Sequence, residues 1–323
     1  MEPGLVSVIV ASYDHSEYLK ERMDSLINQT YQNLEILVID DCSTDASIEV
    51  LRKYETHPKV KLIIREKNGG WVAVSNQGAA ISSGEFIIFA NCDDTCEPQM
   101  IEKLVESIKK NPTAGISYCR SKMIDQSGKL LGDDFLIREK AFRNFCKSDI
   151  LVPKNIFSKF LLNSCVIPNL SAALFRKNCY VFSEGMTGLY KVCADWDLFF
   201  RVTQYYDVAY ISEPLNSFRQ HKTTIRSTTK EQIYFSEVLS LLLTQITRQN
   251  LTLLEHFKFR FHVMYLWTIK IIQLSFDDTQ FFMSLSKIVF KKDPAAIVFL
   301  PFAFTYRASI VIVKKLRDIF LGI

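Results

Sequence analysis

Two pairs of adjacent aspartates follow apolar segments in the first third of the chain. Asp40 and Asp41 come directly after LEILVI, and Asp93 and Asp94 come shortly after EFIIFA. Neighbouring carboxylates at the end of a buried strand repel each other unless a positive charge lies beside them. Carboxylate oxygens are also ligands of the hard divalent cations that accompany phosphates. The pattern therefore predicts an acidic pocket for a metal-bound phosphate compound.

An aromatic ring stands at a third position of the same kind. The apolar segment VSVIVA runs into Ser12 and Tyr13. A nucleotide base needs a flat ring to lie against, and a pyrimidine also needs a carboxylate that accepts its N3–H. Tyr13 and Asp41 are the candidates for these contacts. Uridine is the favoured base, and guanine, which also offers an N–H group, is the alternative.

The elements that must position these residues alternate between strand and helix patterns. Unbroken runs rich in Val and Ile are typical of strands buried on both faces. The alternation implies right-handed crossovers and a mostly parallel sheet, which binds ligands beyond the carboxyl ends of its strands. The predicted strands are Leu5–Ala11, Leu34–Ile39, Val60–Ile64 and Glu85–Ala90, and the predicted helices are Thr44–Tyr54, a segment from Asn68-Gly69-Gly70 to Ile81, and Glu97–Lys110.

The pattern changes after residue 115 to a mixed or antiparallel extension. Strands are predicted at Gly115–Cys119, Ser171–Phe175 and Val208–Ile211, with a hairpin turn at 126–128. Residues between Leu131 and Pro168 show no clear pattern. Everything from Lys230 onward is predicted to be helical.

Three motifs, VSVIVASYDHSEYL, LEILVIDDCSTD and NGGWVAVSNQGAAISSGEFIIFANCDD, resemble the family 2 glycosyltransferases. GLYKVCADWDLFFRV and EPLNSFRQH resemble the acceptor-side signature and closing strand of that family. The resemblance implies an α/β fold of the GT-A type, with a Rossmann-like nucleotide-binding mixed sheet flanked by helices and a C-terminal helical region. The implied domains are a glycosyltransferase domain at 1–225, with a nucleotide-sugar-binding half at 1–115 and an acceptor-binding half at 116–225, and a helical region at 226–323.

The resemblance also implies an activity. An inverting enzyme of this family moves a sugar from a nucleotide-diphosphate donor, with a UDP-sugar favoured here, to a hydroxyl group of a glycan or lipid-linked acceptor, using Mn²⁺ or Mg²⁺. Carried over by position, the nucleotide-sugar-binding residues are Ser12, Tyr13, Asp41, Gly70, Asp93 and Arg219, the metal ligands are Asp94 and His221, the catalytic base is Asp195, and Trp196 lies on the acceptor side.

Two of these residues have an alternative explanation. Trp196 is equally well explained by core packing, and His221 by an ordinary surface position.

The chemistry of such a transfer needs only one carboxylate as general base. The metal ion carries the charge that develops on the diphosphate, so no second enzymic carboxylate acts as an acid. Asp195 and Asp197 are two residues apart and point away from each other on a helix, so only one can face the pocket.

The sequence departs from the family pattern at two positions. Asn91 stands where the first acidic residue of the strand-end motif is usual, and Ser75 stands where an arginine is common. Arg219 or Arg226 is the candidate for the phosphate contact that Ser75 cannot make.

Two other functions fit part of the pattern. A nucleotidyltransferase also pairs strand-end carboxylates with a nucleotide, but its usual Gly-rich phosphate loop with a basic residue is not visible near the N-terminus. A catalytically inactive sugar-nucleotide-binding module is not distinguished by sequence. A phosphoacceptor receiver domain is too short to account for the chain, and dinucleotide binding would need a G-x-G-x-x-G motif. No nucleic-acid partner is predicted.

The C-terminal region differs in charge from the rest of the chain. Residues 226–323 hold 13 Lys and Arg against 7 Asp and Glu, whereas the whole chain has a net charge of +4. The apolar stretch at 294–323 predicts a helix lying on a membrane surface, and packing on the enzyme or an oligomer contact is the alternative. The face of that helix is formed by Ile312, Leu316, Ile319, Phe320 and Ile323.

The expected location follows from the same features. The eight cysteines match no zinc pattern, and the N-terminus has no basic leader segment. Reduced thiols and a basic apolar tail predict a cytoplasmic protein at the inner face of the cell membrane.

Overall fold

In a computed structural model of the chain, the backbone is described for residues 1–273 and 279–321. Side chains are described for the same residues except 225, 226, 271–273, 279 and 311–321. The chain divides into two compact units, Met1–Ser227 and Thr228–Ile323.

The first unit is built around a ten-stranded mixed sheet. The strands are β1 (Glu2–Ser12), β2 (Leu34–Asp40), β3 (Val60–Ile64), β4 (Gly84–Asn91), β5 (Thr95–Cys96), β6 (Ala114–Ile124), β7 (Leu130–Asp133), β8 (Ile150–Val152), β9 (Ala173–Arg176) and β10 (Asp207–Arg219). Their order is β3-β2-β1-β4-β9-β6-β10-β5, with β7 paired to β6 and β8 to β10.

The strand directions divide the sheet into two parts. β1 is parallel to both β2 and β4, and β2 is parallel to β3. β9 then runs antiparallel between β4 and β6, and β10 is parallel to β6. The predicted parallel half with a mixed extension is confirmed.

Helices connect the strands and form the second unit. The helices are α1 (Ser16–Ile27), α2 (Ser47–Arg52), α3 (Trp71–Ile81), α4 (Met100–Lys110), α5 (Lys140–Phe145), α6 (Lys154–Asn163), α7 (Lys177–Phe182), α8 (Ala194–Val202), α9 (Ile225–Thr228), α10 (Glu231–Arg248), α11 (Leu253–Gln273), α12 (Thr279–Lys292) and α13 (Leu300–Leu321), with short 3₁₀ segments at Asp134–Ile137, Leu170–Ala172 and Pro294–Phe299.

Helices on both faces of the sheet explain why its strands are apolar without interruption. Val6, Val8 and Val10 of β1 belong to a core cluster with the apolar sides of α1 and α4. On the opposite face, Ile9 lies against α3 at Gly78, where a Cβ atom would stand 2.4 Å from Cγ2 of Ile9. Glycine at this position therefore allows α3 to pack directly on the strand that leads into the site.

Two helices are shorter than predicted. The helix expected over 44–54 is confined to α2, and the N–H groups of Thr44 and Asp45, which precede it, donate to the Asp14 carboxylate (2.7 Å and 3.3 Å). The helix expected from residue 97 begins at Met100, because β5 pairs with β10 and the N–H of Glu97 continues this pairing by donating to the Leu215 carbonyl (2.8 Å). The segment between 131 and 168, in which a helix and a loop were expected without defined bounds, contains two helices, α5 and α6, and also the strand β8.

The second unit consists of helices with one 3₁₀ segment, and the predicted C-terminal helical region is confirmed. Among residues 1–273 and 279–321, no helix combines the length and apolar character needed to cross a bilayer. The apolar face predicted at 312–323 lies outside the residues whose side chains are described.

Candidate active site

The ends of β1, β2 and β4 lie side by side and form the floor of the site. Ser12 pairs with Asp40 across the parallel ladder. The Ser12 hydroxyl donates to the Asp40 carboxylate (3.0 Å), and the Asp41 N–H donates to the Ser12 carbonyl (2.8 Å). Ser12 is fully buried, so its side chain joins the two strand ends beneath the site. Tyr13, one residue further on, is 43% exposed and offers an open ring face.

Asp41 organises the loop that leads into α3. Its carboxylate accepts hydrogen bonds from the N–H of Gly69 (3.0 Å), the N–H of Gly70 (2.7 Å) and Nη1 of Arg65 (2.5 Å). Gly70 has φ of +83°, a conformation that favours glycine. Sequence reasoning missed Arg65, and its position directly after β3 is the signal that points to it.

Asp94 is enclosed in the protein core. Its carboxylate accepts from Nδ2 of Asn169 (2.6 Å), Oγ of Ser171 (2.6 Å), Nδ2 of Asn91 (3.3 Å) and the N–H of Arg219 (3.0 Å). Burial raises the pKa of Asp94 to about 7, and the neighbouring carboxylate adds to the rise. Asp94 was predicted to be a metal ligand, but its side chain is fully buried and is not accessible to an ion in this structure.

Asp93 points instead to a cluster with two histidines. Its Oδ2 lies 2.8 Å from Nε2 of His221, whose Nδ1 lies 2.7 Å from the Thr223 hydroxyl. His15, which sequence reasoning missed, completes the cluster, and the ligand atoms of the three residues all lie within 4.8 Å of one another. His15 follows Tyr13 by two residues in the first motif, which is the signal that could have identified it.

The donor atoms of this cluster fit a divalent cation. Carboxylate oxygens suit manganese and magnesium, and imidazole nitrogens suit iron, nickel, copper and zinc, so this mixed set can hold a divalent cation and its carboxylate is the ligand that manganese or magnesium prefers. His15 and Asp93 are partly exposed, whereas the His221 side chain is 1% exposed, so a ligand would reach the cluster from the side of His15 and Asp93.

The Arg219 side chain holds the backbone of Asp93, one residue of this cluster. Its Nε donates to the Asp93 carbonyl (2.7 Å), Nη1 donates to the carbonyls of Asp125 and Gln126, and Nη2 donates to Glu21 (2.6 Å). The residue is 1% exposed. The guanidinium group is therefore occupied in joining the ends of β4 and β10, and it does not present a free face to a phosphate group.

The two aspartates at the start of α8 have different surroundings. Asp197 is buried and pairs with Nε of Arg201 (2.9 Å), and it also accepts from the Thr187 hydroxyl (3.2 Å). Asp195 is partly exposed, and its Oδ1 accepts from the N–H of Trp196 (2.7 Å). Of the two carboxylates, Asp195 is therefore the more accessible one.

Trp196 lies in the core. Its indole is 7% exposed, donates from Nε1 to the Leu161 carbonyl (3.2 Å) and stacks with Phe200. Stacking on an acceptor sugar would need an open ring face, which this position does not provide. In this structure Trp196 is therefore a core residue, as the alternative to the acceptor-side role expected.

Comparison with known proteins identifies relatives among the glycosyltransferases. Residues 7–161 match the model of glycosyl transferase family 2. An uncharacterized glycosyltransferase of Haemophilus influenzae is 29% identical over 220 residues, which are 67% of this chain and 66% of that protein. Chondroitin synthase of Escherichia coli is 26% identical over 62% of this chain, but this match spans only 26% of the synthase.

Solved structures share the fold. Residues 1–349 of Staphylococcus aureus TarS, in complex with UDP-GlcNAc, align with a TM-score of 0.69 and 18% identity, covering 91% of this chain and 83% of that one. A mannosyltransferase of Pyrobaculum calidifontis, in complex with GDP-Man and Mn²⁺, aligns with a TM-score of 0.53 and 15% identity over 97% of this chain and 82% of that one. Residues 7–161 are thus a glycosyl transferase family 2 segment, and they lie within a unit of the GT-A fold.

Proposed function

We propose that the chain is an inverting, metal-dependent glycosyltransferase that moves a sugar from a nucleotide-diphosphate donor, with a UDP-sugar favoured, to a hydroxyl group of a glycan or lipid-linked acceptor. The observation that supports it best is the cluster of Asp93, His221 and His15 at the strand ends. It stands beside an exposed aromatic ring, Tyr13, and a carboxylate, Asp41. This set matches what a nucleotide diphosphate with its metal ion requires.

In this proposal the nucleotide base lies against Tyr13 and donates its N3–H to Asp41. Asp41 is 3% exposed and accepts from the N–H groups of Gly69 and Gly70 and from Arg65, so the base would reach its carboxylate in place of one of these donors. Gly70 then lies at the wall of the base site and is held there by Asp41. Ser12 contributes by fixing the strand ends.

Asp93 and His221 would hold Mn²⁺ or Mg²⁺, with His15 as a third candidate ligand. A bound ion of this kind supplies stabilisation of the negative charge that develops on the diphosphate leaving group. The metal role predicted for Asp94 is thereby reassigned to Asp93. Asp94 instead holds the Arg219 backbone in place.

Asp195 is the general base of the proposed reaction. Its carboxylate takes the proton of the acceptor hydroxyl while that oxygen forms a bond to the anomeric carbon. The bond between the anomeric carbon and the diphosphate oxygen breaks on the opposite side. The nucleoside diphosphate leaves with the bonding electrons, and the configuration at the anomeric carbon is inverted.

Calorimetric titration of UDP with and without Mn²⁺ tests the metal site. The wild type is expected to bind UDP more tightly with Mn²⁺, and Asp93→Asn should lose most of this difference because it removes a charged ligand. Glu97→Gln is a matched control, since Glu97 is a solvent-accessible carboxylate that pairs with Lys122. An Asp93→Asn variant with full metal dependence would place the ion elsewhere.

Product analysis tests the reaction class. Metal-dependent release of UDP from a UDP-sugar supports a transferase, whereas binding without turnover of any nucleotide sugar would favour an inactive binding module. Formation of a nucleotide sugar from a nucleoside triphosphate and a sugar phosphate would favour a nucleotidyltransferase. A product with retained anomeric configuration would contradict the single displacement.

The proposed acceptor implies a location. A lipid-linked acceptor would be met at the cytoplasmic face of the cell membrane, which residues 294–323 would contact peripherally. An oligomer is compatible with this proposal, and no nucleic acid takes part in it.

A further inference from the structure

One end of the helical unit exposes a set of large apolar side chains. In the first turns of α11, Leu253 is 75% exposed, Leu254 is 80% exposed and Phe257 is 52% exposed. Where the 3₁₀ segment leads into α13, Val298 is 63% exposed and Phe302 is 62% exposed. Clusters of this kind on soluble proteins mark sites that contact another surface.

Contacts within the unit bring these two segments together. The ring of Phe257 packs edge-on against that of Phe299, with centroids 5.2 Å apart. One turn further along α11, Arg260 donates from Nε to the buried Asp293 carboxylate (2.7 Å), directly before the 3₁₀ segment. The five exposed residues therefore lie at the same end of the unit, and we call them the apolar end.

Three lysines occur in the chain segments that carry the apolar end or directly precede them. Lys258 on α11 and Lys291 at the close of α12 are exposed, and Lys292 is partly exposed. Arg260 and Asp293 neutralise each other, so Glu255 is the one acidic side chain left to oppose these lysines within residues 253–260 and 291–302. The rim of the apolar end is thus positively charged.

We propose that the apolar end binds the surface of an anionic phospholipid bilayer. Apolar side chains that enter the boundary between headgroups and acyl chains, with lysines beside anionic headgroups, are the pattern of a peripheral membrane contact. A second copy of the chain is a poorer partner, because pairing two such ends would bring their lysines together. This inference depends on the proposed function only through the lipid-linked acceptor, which the enzyme would meet at a membrane surface.

Sedimentation of the full chain with vesicles tests this surface. Vesicles of phosphatidylcholine with phosphatidylglycerol are expected to bind the wild type at low salt, and vesicles of phosphatidylcholine alone should bind it weakly. Leu254→Glu and Phe302→Glu should each lower the affinity about tenfold or more, because each places a negative charge at the lipid boundary. Raised salt should weaken the wild-type binding, because the lysine contribution is screened.

Leu130→Glu is the matched control, because it makes the same chemical change at a leucine that is 61% exposed and belongs to the first unit. Thermal unfolding checks that all three variants are folded. Leu254→Glu and Phe302→Glu variants that bind vesicles as the wild type does would overturn the proposal. A wild-type dimer that Leu254→Glu makes monomeric, without vesicle binding by either, would also overturn it.

UDP binding in the same preparations separates this inference from the proposed function. Loss of vesicle binding with normal metal-dependent UDP binding contradicts only the docking surface. Vesicle binding by a chain that never binds UDP contradicts only the proposed activity.

Discussion

Asp93 and Asp94 are adjacent in the chain but have opposite surroundings. Asp94 is fully buried and accepts from four donors, whereas Asp93 faces two histidines near the surface. The buried carboxylate holds the backbone of β10 against the end of β4. The outer carboxylate, which pairs with His221, is therefore the accessible one of the two, and the inner one fixes the strand ends.

The same division of roles occurs at the start of α8, where it can be tested. Asp195→Asn is expected to lower turnover by about 10²–10⁴, the usual contribution of a positioned general base. UDP affinity should change little, because the proposed role of Asp195 is at the acceptor hydroxyl and not at the donor. Stability should also change little, because the residue is partly exposed and asparagine keeps an oxygen that can accept from the N–H of Trp196. Steady-state kinetics and UDP titration measure the two effects.

Asp197→Asn is the control for that measurement. Asp197 is 5% exposed and pairs with Arg201, so its loss leaves a buried cation without its partner. Breaking a buried ion pair costs about 3–5 kcal/mol, and the variant should unfold at lower urea concentration. A large loss of turnover in Asp197→Asn at full stability, with little loss in Asp195→Asn, would move the catalytic role to Asp197.

At the scale of elements, α3 is joined to the loop that precedes α8. Oδ1 of Asn76 accepts from the Tyr180 hydroxyl (2.6 Å) and the Met186 N–H (3.1 Å), and Nδ2 donates to the Met186 carbonyl (2.8 Å). Nε1 of Trp71 donates to the Lys191 carbonyl (3.0 Å) in the same loop. The helix that begins at the proposed donor loop therefore also positions the segment that leads to the proposed base.

Asn76→Ala tests this link between the two halves of the site. The substitution removes three hydrogen bonds and leaves their partners without Asn76, so we expect a loss of about 1–3 kcal/mol in the free energy of unfolding. Turnover should fall while the KM for the donor changes little, since the donor contacts come from other strand ends. Unfolding curves and kinetics at saturating donor measure both effects.

Asn155→Ala is a suitable comparison, because Asn155 is an exposed asparagine in the first turn of α6. It should leave both quantities nearly unchanged. An Asn76→Ala enzyme with normal turnover and lower stability would show that the link is structural only.

At the scale of the whole molecule, the residues proposed to bind the donor and those proposed to bind a membrane belong to different units of the chain. The side chains proposed to bind donor and metal lie in the unit Met1–Ser227, and the apolar end lies in Thr228–Ile323. We therefore expect that metal-dependent UDP binding and vesicle binding can be separated from each other.

A chain that ends at Ser227 tests this separation. It is expected to unfold cooperatively and to bind UDP with the metal dependence of the full chain, because the sheet and the strand-end cluster are complete within it. It should not sediment with anionic vesicles. Calorimetry and vesicle sedimentation measure the two properties, and an aggregated or unfolded product would show that the first unit needs the second.

The sequence by itself determined the four strands of the parallel half, the family resemblance and the edge of the sheet at which the proposed site lies. Unbroken apolar runs such as β1 and β4 identify strands covered on both faces, because burial leaves a direct trace in residue type. The polar residues that end such runs must then lie together at one edge. Tyr13 and Asp41 were predicted in this way.

Only the tertiary structure decided which of the polar residues face the site. Nothing in the sequence separates Asp93 from Asp94, because their difference depends on donors that come from distant segments, among them Asn169 and Ser171. His15 meets His221 for the same reason, since the residues that follow β1 and those that follow β10 come together although the two strands are not neighbours in the sheet. Local sequence patterns report whether a side chain is buried, but the partners of a buried polar group are set by long-range packing.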